Sequence, residues 1–392
     1  MNNDWKEKGY IDEPVDGSVD LKKEIRRLCE EKDAVVLAHY YTVGEVQEVA
    51  DFIGDSLALA RKAAKTDAKI IVMCGVHFMA ETCKLLSPEK KVLCPDLTAG
   101  CSLADSCKAE DLKEFKAQHP GYKVVSYVNT TAAVKALTDV VVTSGNAKKV
   151  VDSLPKDEKL IFGPDYNLGN YINSVTGRDM LLWNGGCHVH EKFSVEAIVK
   201  LKQEHPEAVV MAHLECKAPV LAVADVKGST ATMLNYAKEH KETKEYIIAT
   251  EAGILHELQR NCPDVKFYPV PPEVSEGGVG CSCNECEYMK KNTLLKIYNT
   301  LRYELPEQFA CRKAAHNGIL LRSLQPAMQQ SAGNILQKIA LQLLVYSFSA
   351  MHIKDIRFLN QRADNVSLPS CLHLTHQAGV HLTAALIRIT QR

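Results

Sequence analysis

The sequence predicts an α/β protein built of three small three-layer αβα units, each with a small parallel sheet covered by helices on both faces, related by a pseudo-threefold axis. Three observations predict this. Three stretches resemble one another: VVLAHYYTVGEVQEVADFIGDSLALARKA from Val35, VVSYVNTTAAVKALTDVVVTSGNAKKVVD from Val124 and VVMAHLECKAPVLAVADVKGSTATMLNYA from Val209, with starts 89 and 85 residues apart. Each is followed by a second strand-helix-strand passage: IIVMCGVHFMAETCKLL with KKVLCP, LIFGPDYNLGNYINSV with MLLWNG, and YIIATEAGILHELQRN with VKFYPV. Each passage then opens into a glycine-containing loop that carries cysteine. The resulting order of strands and helices is the alternation of a parallel sheet buried on both sides. A spacing of 85 to 89 residues exceeds the period of about 20 to 50 that solenoids use, which leaves three separate units as the reading.

In chain order, the first strand of each copy is an apolar run ending on polar residues: His39 and Tyr41, Tyr127 and Asn129, His213 and Glu215. A helix-period stretch follows, and a second short strand runs into a small hydroxyl turn: Gly54-Asp55-Ser56, Thr143-Ser144-Gly145 and Gly228-Ser229-Thr230. The runs Lys69–Met73 and Ala208–Met211 have the unbroken apolar character of strands covered on both faces. The loops end at Cys101 and Cys107 in LTAGCSLADSC, at Cys187 in WNGGCHVHEKF, and at Cys281, Cys283 and Cys286 in GGVGCSCNECEYM. Helical spacing in YMKKNTLLKIYNTLRYE predicts a closing helix. The boundaries expected are 1–108, 109–193 and 194–304 for the three units. Residues 305–392 form an atypical tail: positions 306–392 hold nine basic and three acidic residues, and nine glutamines against four in the first 305.

Composition narrows the class of function. With 47 basic and 48 acidic residues among 392, the chain has no basic field for nucleic acid or a membrane surface. Its start, MNNDWKEKGY, is polar, and no apolar run approaches the ~18 residues of a bilayer span, so a cytoplasmic protein acting on small molecules is expected. In that reducing compartment, fourteen cysteines argue for metal or catalysis rather than disulfides.

Three thiolates from three loops suit an iron-sulfur cluster or zinc, and three protein ligands leave one metal position open. The spacing C-x3-C-x2-C is absent, and a zinc ribbon would need a second C-x2-C besides Cys283 to Cys286. For the polar strand ends, recurrence is the signal. A lone histidine is more often a core residue and a lone serine more often a helix cap. Here, though, a hydroxyl follows 17 residues after the strand end in all three copies: His39 to Ser56, Tyr127 to Ser144, His213 to Thr230. Strand C-termini and helix N-termini are where α/β units gather ligand contacts, so three such edges facing one axis make one site.

The segments AHYYTVGEVQEVADFIGDSL, GVHFMAETCKLL, CPDLTAGCSLADSC, YVNTTAAVKA, VTSGNA, GPDYNLGNY, CHVHEKF, HLECKAP, GSTATM, ATEAGI and CNECEYMKKNTL resemble, in order over residues 20–304, the motifs of the quinolinate synthase family. The resemblance implies a central cavity holding one 4Fe-4S cluster on Cys101, Cys187 and Cys286, with Cys107, Cys281 and Cys283 as neighbours without that role. It implies condensation of iminoaspartate with dihydroxyacetone phosphate to quinolinate, phosphate and water in NAD biosynthesis, and a transient functional link to L-aspartate oxidase. Carried over residue by residue, it assigns substrate contacts to His39, Ser56, Tyr127, Asn129, Ser144, His213, Glu215 and Thr230. It makes Glu215 the general acid-base group, with Tyr41 and His213 as proton carriers. His190 and Glu81 match less specifically: His190 as an orienting or phosphate-contacting residue or a surface-loop histidine, Glu81 as a site residue, a solvated charge or a cap partner. The C-x-C of Cys281 and Cys283 and the 305–392 tail depart from the family pattern. Two rivals fit the residues less fully: an iron-sulfur sensor for a small anion, which has no need of the Tyr127-Asn129 and His213-Glu215 pairs, and a structural zinc protein.

Overall fold

The computed structural model describes residues 4–272 and 284–309; Cys281, Cys283 and the tail from 310 onward lie outside the described residues. Twelve strands form three parallel four-stranded sheets among the described residues. The first sheet contains β1 (Ala34–His39), β2 (Phe52–Gly54), β3 (Ile70–Cys74) and β4 (Lys91–Leu93) in the order β2-β1-β3-β4. The second contains β5 (Lys123–Tyr127), β6 (Val140–Val142), β7 (Leu160–Gly163) and β8 (Leu181–Leu182) in the order β6-β5-β7-β8. The third contains β9 (Val209–His213), β10 (Val226–Gly228), β11 (Glu245–Ala249) and β12 (Lys266–Pro269) in the order β10-β9-β11-β12. The same order three times over is the α/β architecture the internal repeats predict.

Burial on both faces follows from the side-chain alternation of a strand. In β1, Val35 and Leu37 enter one core while Val36 and Ala38 enter the core on the opposite face. In β9 and β11, Val210, Ala212, Ile247 and Ala249 pack on one side, and Met211, Tyr246 and Ile248 on the other. The core beneath the first sheet is continuous with the core beneath the second: Leu37, Ile71 and Met73 share it with Val125, Val141 and Phe162. The first two units are thus joined by one apolar layer.

Each second strand is only three residues long, and each is preceded by an aspartate that clasps the first strand. The Asp51 carboxylate accepts from the Val36 N–H at 2.7 Å while its own N–H donates to the Val36 carbonyl at 2.9 Å. Asp139 does the same with Val124 (2.7 and 2.9 Å) and Asp225 with Val210 (2.8 and 2.9 Å). Since a slip of one residue would turn every side chain to the opposite face, this clasp sets which residues stand at the strand ends. His39 is thereby placed beside Gly54, Tyr127 beside Val142 and His213 beside Gly228.

The predicted closing helix is a short turn, Glu287–Lys290, followed by the helix Leu294–Tyr303. Although it follows the third unit in sequence, it packs on the first, where Ile297, Tyr298 and Leu301 meet Ile25 and Leu28 of the helix Leu21–Lys32. Just beyond it, the Pro306 carbonyl accepts from Cys94 N–H and Gln308 N–H donates to the Val92 carbonyl, at 3.2 and 2.8 Å. The first residues of the expected tail therefore cover the open edge of β4, a standard way of blunting an edge strand.

Removing a clasp carboxylate leaves a backbone N–H of the strand without its partner. Asp225→Ala is expected to lower stability by about 1–2 kcal/mol, with Asp225→Asn milder because an acceptor remains. Urea unfolding measures this, and unchanged midpoints for both variants would count against the clasp.

Candidate active site

The C-terminal ends of the three sheets face one cavity with about 720 Å³ of non-atom space, its mouth included. His39, Tyr41 and Ser56 enter it from the first unit, Tyr127, Asn129 and Ser144 from the second, and His213, Glu215 and Thr230 from the third. Cys101, Cys187 and Cys286 line the same cavity. The structure therefore brings together the polar residues of all three strand ends, the hydroxyl 17 residues beyond each, and one cysteine from each loop. Cys107 is set apart: it is buried with Leu112, Val124 and Ile161 in a separate small core.

Two histidines are held in one tautomer by the same local turn. The Tyr41 N–H donates to His39 Nδ1 at 3.2 Å, and the Glu215 N–H donates to His213 Nδ1 at 3.3 Å. A ring nitrogen that accepts carries no proton, so each neutral imidazole keeps its hydrogen on Nε2. Burial lowers His39 to about 3, with His213 adding to the effect, and burial lowers His213 to about 4. Both are neutral donors at neutral pH. The hydroxyls follow from capping. Asp55 caps the helix Ser56–Lys65 and Ser229 caps Thr230–Glu239, so Ser56 and Thr230 occupy the first helical position with hydroxyls not consumed by the cap. Ser144 departs from the pattern. Its helix begins only at Ala147, and the turn is tied by Thr143 N–H donating to Asn146 Oδ1 at 2.6 Å.

Glu215 is the charged centre of the site and is only 4 % exposed. Burial alone would raise its carboxyl, but the facing imidazoles of His190 and His213, the close approach of His190 and the Tyr127 hydrogen bond outweigh it and hold the group below the usual carboxylate range. Tyr127 donates to Glu215 Oε1 at 2.5 Å, and His190 Nδ1 lies 3.1 Å from Oε2, near enough for an ion pair though off the line of a hydrogen bond. The His190 and His213 rings stack with centroids 4.7 Å apart. Tyr41 and Tyr127 are both pushed well above the usual phenol value, by burial first and by Glu215 second. The site thus combines one ionised carboxylate with two protonated phenols, the two sides of an acid-base pair.

The three cavity cysteines share a local design. Backbone N–H groups at the second and third residues onward face each sulfur: Leu103 and Ala104 at Cys101, Val189 and His190 at Cys187, Tyr288 and Met289 at Cys286. Such donors favour a thiolate. Against them, burial pushes Cys101 up to about 12, Cys286 to about 11 and Cys187 well above its ordinary value, and Cys101 is raised further by Cys286 and Cys187 by Glu215 and Cys101. Three sulfurs with thiolate-stabilising cradles, crowded so that they repel as anions, are a donor set that fits a shared cationic metal centre. The ligand atoms of Cys187, His190 and Glu215 also lie within 4.8 Å of one another.

Two weaker matches of the sequence, His190 and Glu81, and two residues the sequence reading did not single out, Glu251 and Thr250, complete the site's surroundings. His190 is 1 % exposed and part of the cavity wall, which rules out the surface-loop reading. Glu81 is a cap partner across units, accepting from Ala132 N–H at 2.8 Å. Glu251, 1 % exposed, accepts from Cys286 N–H at 2.9 Å and pairs with Lys290 at 2.8 Å. Thr250 bonds Tyr41 and His190. The last two lie in ATEAGI, directly after β11.

Comparison with known proteins agrees with this geometry. The family model described as NadA, quinolinate synthetase A protein, matches residues 23–319. The quinolinate synthase of Nostoc punctiforme is 52% identical over 289 residues, which cover 74% of this chain and 87% of that protein. That of Microcystis aeruginosa is 51% identical over 288 residues (74% and 88%), and that of Chloroherpeton thalassium 51% identical over 296 residues (75% and 90%). Three repeated sheets, one shared cavity and a match running through nearly all the described residues lead to one conclusion: the chain belongs to the quinolinate synthetase A family of enzymes.

Proposed function

We propose that the chain condenses iminoaspartate with dihydroxyacetone phosphate to give quinolinate, phosphate and water, taking the imine from the reaction of an L-aspartate oxidase. The observation that carries this reading is the meeting of Glu215, Tyr127 and Tyr41 with three cradled cysteines in one cavity. Cys101, Cys187 and Cys286 would hold one 4Fe-4S cluster. When bound, that cluster supplies an iron free of cysteine that acts as a Lewis acid toward a substrate oxygen.

The remaining chemistry belongs to side chains. Iminoaspartate brings two carboxylates, and the neutral Nε2–H groups of His39 and His213 with the hydroxyls of Ser56, Ser144 and Thr230 offer donors from all three units. Neutral donors bind an anion without the cost of a buried unpaired cation. Asn129, whose Oδ1 is buried without a partner, adds an acceptor for a substrate N–H or hydroxyl. Glu215, ionised and fixed by Tyr127, takes the proton that enolisation releases, and Tyr41 and Tyr127, both protonated, return protons to departing oxygen. His213 is too weakly basic to hold a proton at neutral pH, so its part is to donate from Nε2 rather than to carry charge.

The test is quinolinate formation from the two substrates with anaerobically isolated protein. The Glu215→Gln variant is expected to keep the wild-type iron content while losing about 10²–10⁴ in kcat, the range of a general acid-base contribution. A Glu215→Gln protein with full iron and an unchanged rate would remove Glu215 from that role, and a wild-type protein with full iron and no quinolinate would remove the reaction.

A further inference from the structure

Beyond each strand end the chain carries a second polar residue, Tyr41, Asn129 or Glu215, and eight positions after the strand end the three units differ: Gln47, Lys135 and Leu221. Gln47 and Lys135 are both fully buried. The Gln47 amide donates to the Tyr40 and Thr42 carbonyls at 2.9 and 2.8 Å, one on each side of Tyr41. The Lys135 amine donates to the Val128 carbonyl at 2.8 Å and to the Thr130 carbonyl, one on each side of Asn129. Two side chains of different chemistry thus make the same pair of bonds, reaching back seven and five residues in both units. Leu221 has no donor to do so and packs in the apolar core of the third unit.

Whether a site side chain needs such a brace depends on what else holds it. Glu215 is fixed through its own carboxylate, which accepts from Tyr127. Asn129 Oδ1 is buried without a partner, so that oxygen is aimed by the backbone that carries it. That backbone leaves β5 with Val128 N–H donating to the Val142 carbonyl at 2.8 Å and turns with Thr130 N–H donating to the Val128 carbonyl at 2.7 Å. Lys135 closes the turn from beneath. The lysine is itself held by the first unit: Glu81 accepts from Ala132 N–H at the start of the short helix Ala132–Lys135, and the Lys135 Nζ lies 5.3 Å from the ring centre of Phe78, a cavity-lining residue. An ammonium has three hydrogens, two for the carbonyls and one for the ring face. Burial draws this amine down to about 7, with Glu81 and Cys101 acting the other way.

From these contacts we propose that Lys135 is a positioning residue which, by bridging the Val128 and Thr130 carbonyls, fixes the Asn129 side chain where iminoaspartate meets it. The inference rests on the reading of Asn129 as a substrate contact given above. An asparagine released from its turn weakens the hold on substrate and transition state alike, which raises KM and leaves kcat little changed. The brace needs two hydrogens and no charge, since the uncharged Gln47 makes the same two bonds in the sister unit.

The test uses anaerobically isolated holoenzyme and the quinolinate assay. Lys135→Met, similar in length and without a donor, is expected to raise KM for iminoaspartate about tenfold, the scale of one hydrogen bond, with kcat within about threefold and with KM for dihydroxyacetone phosphate and iron content near wild type. Lys135→Gln keeps two donors and is expected within about threefold of wild type in both KM and kcat. This variant reports even where Lys135→Met fails to fold. In an Asn129→Ala background, Lys135→Met should raise KM no further, because the side chain that it places is already gone. A wild-type KM in Lys135→Met, a tenfold rise of KM in Lys135→Gln, or a full additional rise in the Asn129→Ala background would each overturn the proposal while leaving the reaction standing. A wild type with full iron and no quinolinate would overturn both.

Discussion

A parallel sheet delivers all its C-terminal strand ends to one edge, and in this chain three such edges meet on a single cavity. Every other feature of the site depends on that convergence and on the register that aims it. The aspartate clasps at Asp51, Asp139 and Asp225 hold the short second strands so that His39, Tyr127 and His213 end their strands at equivalent points. With each unit giving one polar strand end, one hydroxyl turn and one cysteine loop, no single unit holds a complete site. The arrangement also explains why the apolar core runs without a break between the first and second units. Units that must keep their edges registered to fractions of an ångström are better fused than hinged.

The electrostatics obey the same constraint. A carboxylate as buried as Glu215 is costly unless its oxygens are engaged, and here Tyr127 and His190 come from the second unit and its cysteine loop. Tyr41 is oriented from the third unit by Thr250 and Lys290. Each reactive group is therefore held by a unit other than its own. The neutrality of His39 and His213 comes from burial, and a backbone N–H two residues onward, which occupies Nδ1 in both turns, fixes the tautomer. A largely buried ion pair beside the cysteine loops, Glu251 with Lys290, ties the backbone of Cys286 to that of Tyr41, so the sulfur site and the acid-base site share a strut.

Much of this was legible in the sequence because it repeats. Three apolar strands ending on polar residues, and hydroxyls at one fixed spacing beyond them, announced both the sheets and the cavity wall. The clasp aspartates sit inside those same repeats but read as ordinary turn residues, since nothing local shows that their carboxylates bond a strand 15 residues earlier. Thr250 and Lys290 were invisible for a different reason: their partner Tyr41 lies 209 and 249 residues away, a pairing that no periodicity encodes. Ser144 shows the reverse error. Its spacing matched the other hydroxyls, yet Asn146 rebuilds the turn so that the helix starts later than in the sister units. The closing helix was legible as a helix but not as a part of the first unit's core, because amphipathicity gives a face and not the address of what covers it.

Iron and acid-labile sulfide counted per chain in anaerobically isolated protein, for the wild type beside Cys101→Ala, Cys187→Ala, Cys286→Ala and Cys107→Ala, test the central claim most directly. The convergence of three loops on one centre predicts about four irons and four sulfides in the wild type and in Cys107→Ala, with loss in each of the other three. Zinc in place of iron, or full iron and sulfide after loss of any one of the three cavity cysteines, would contradict it.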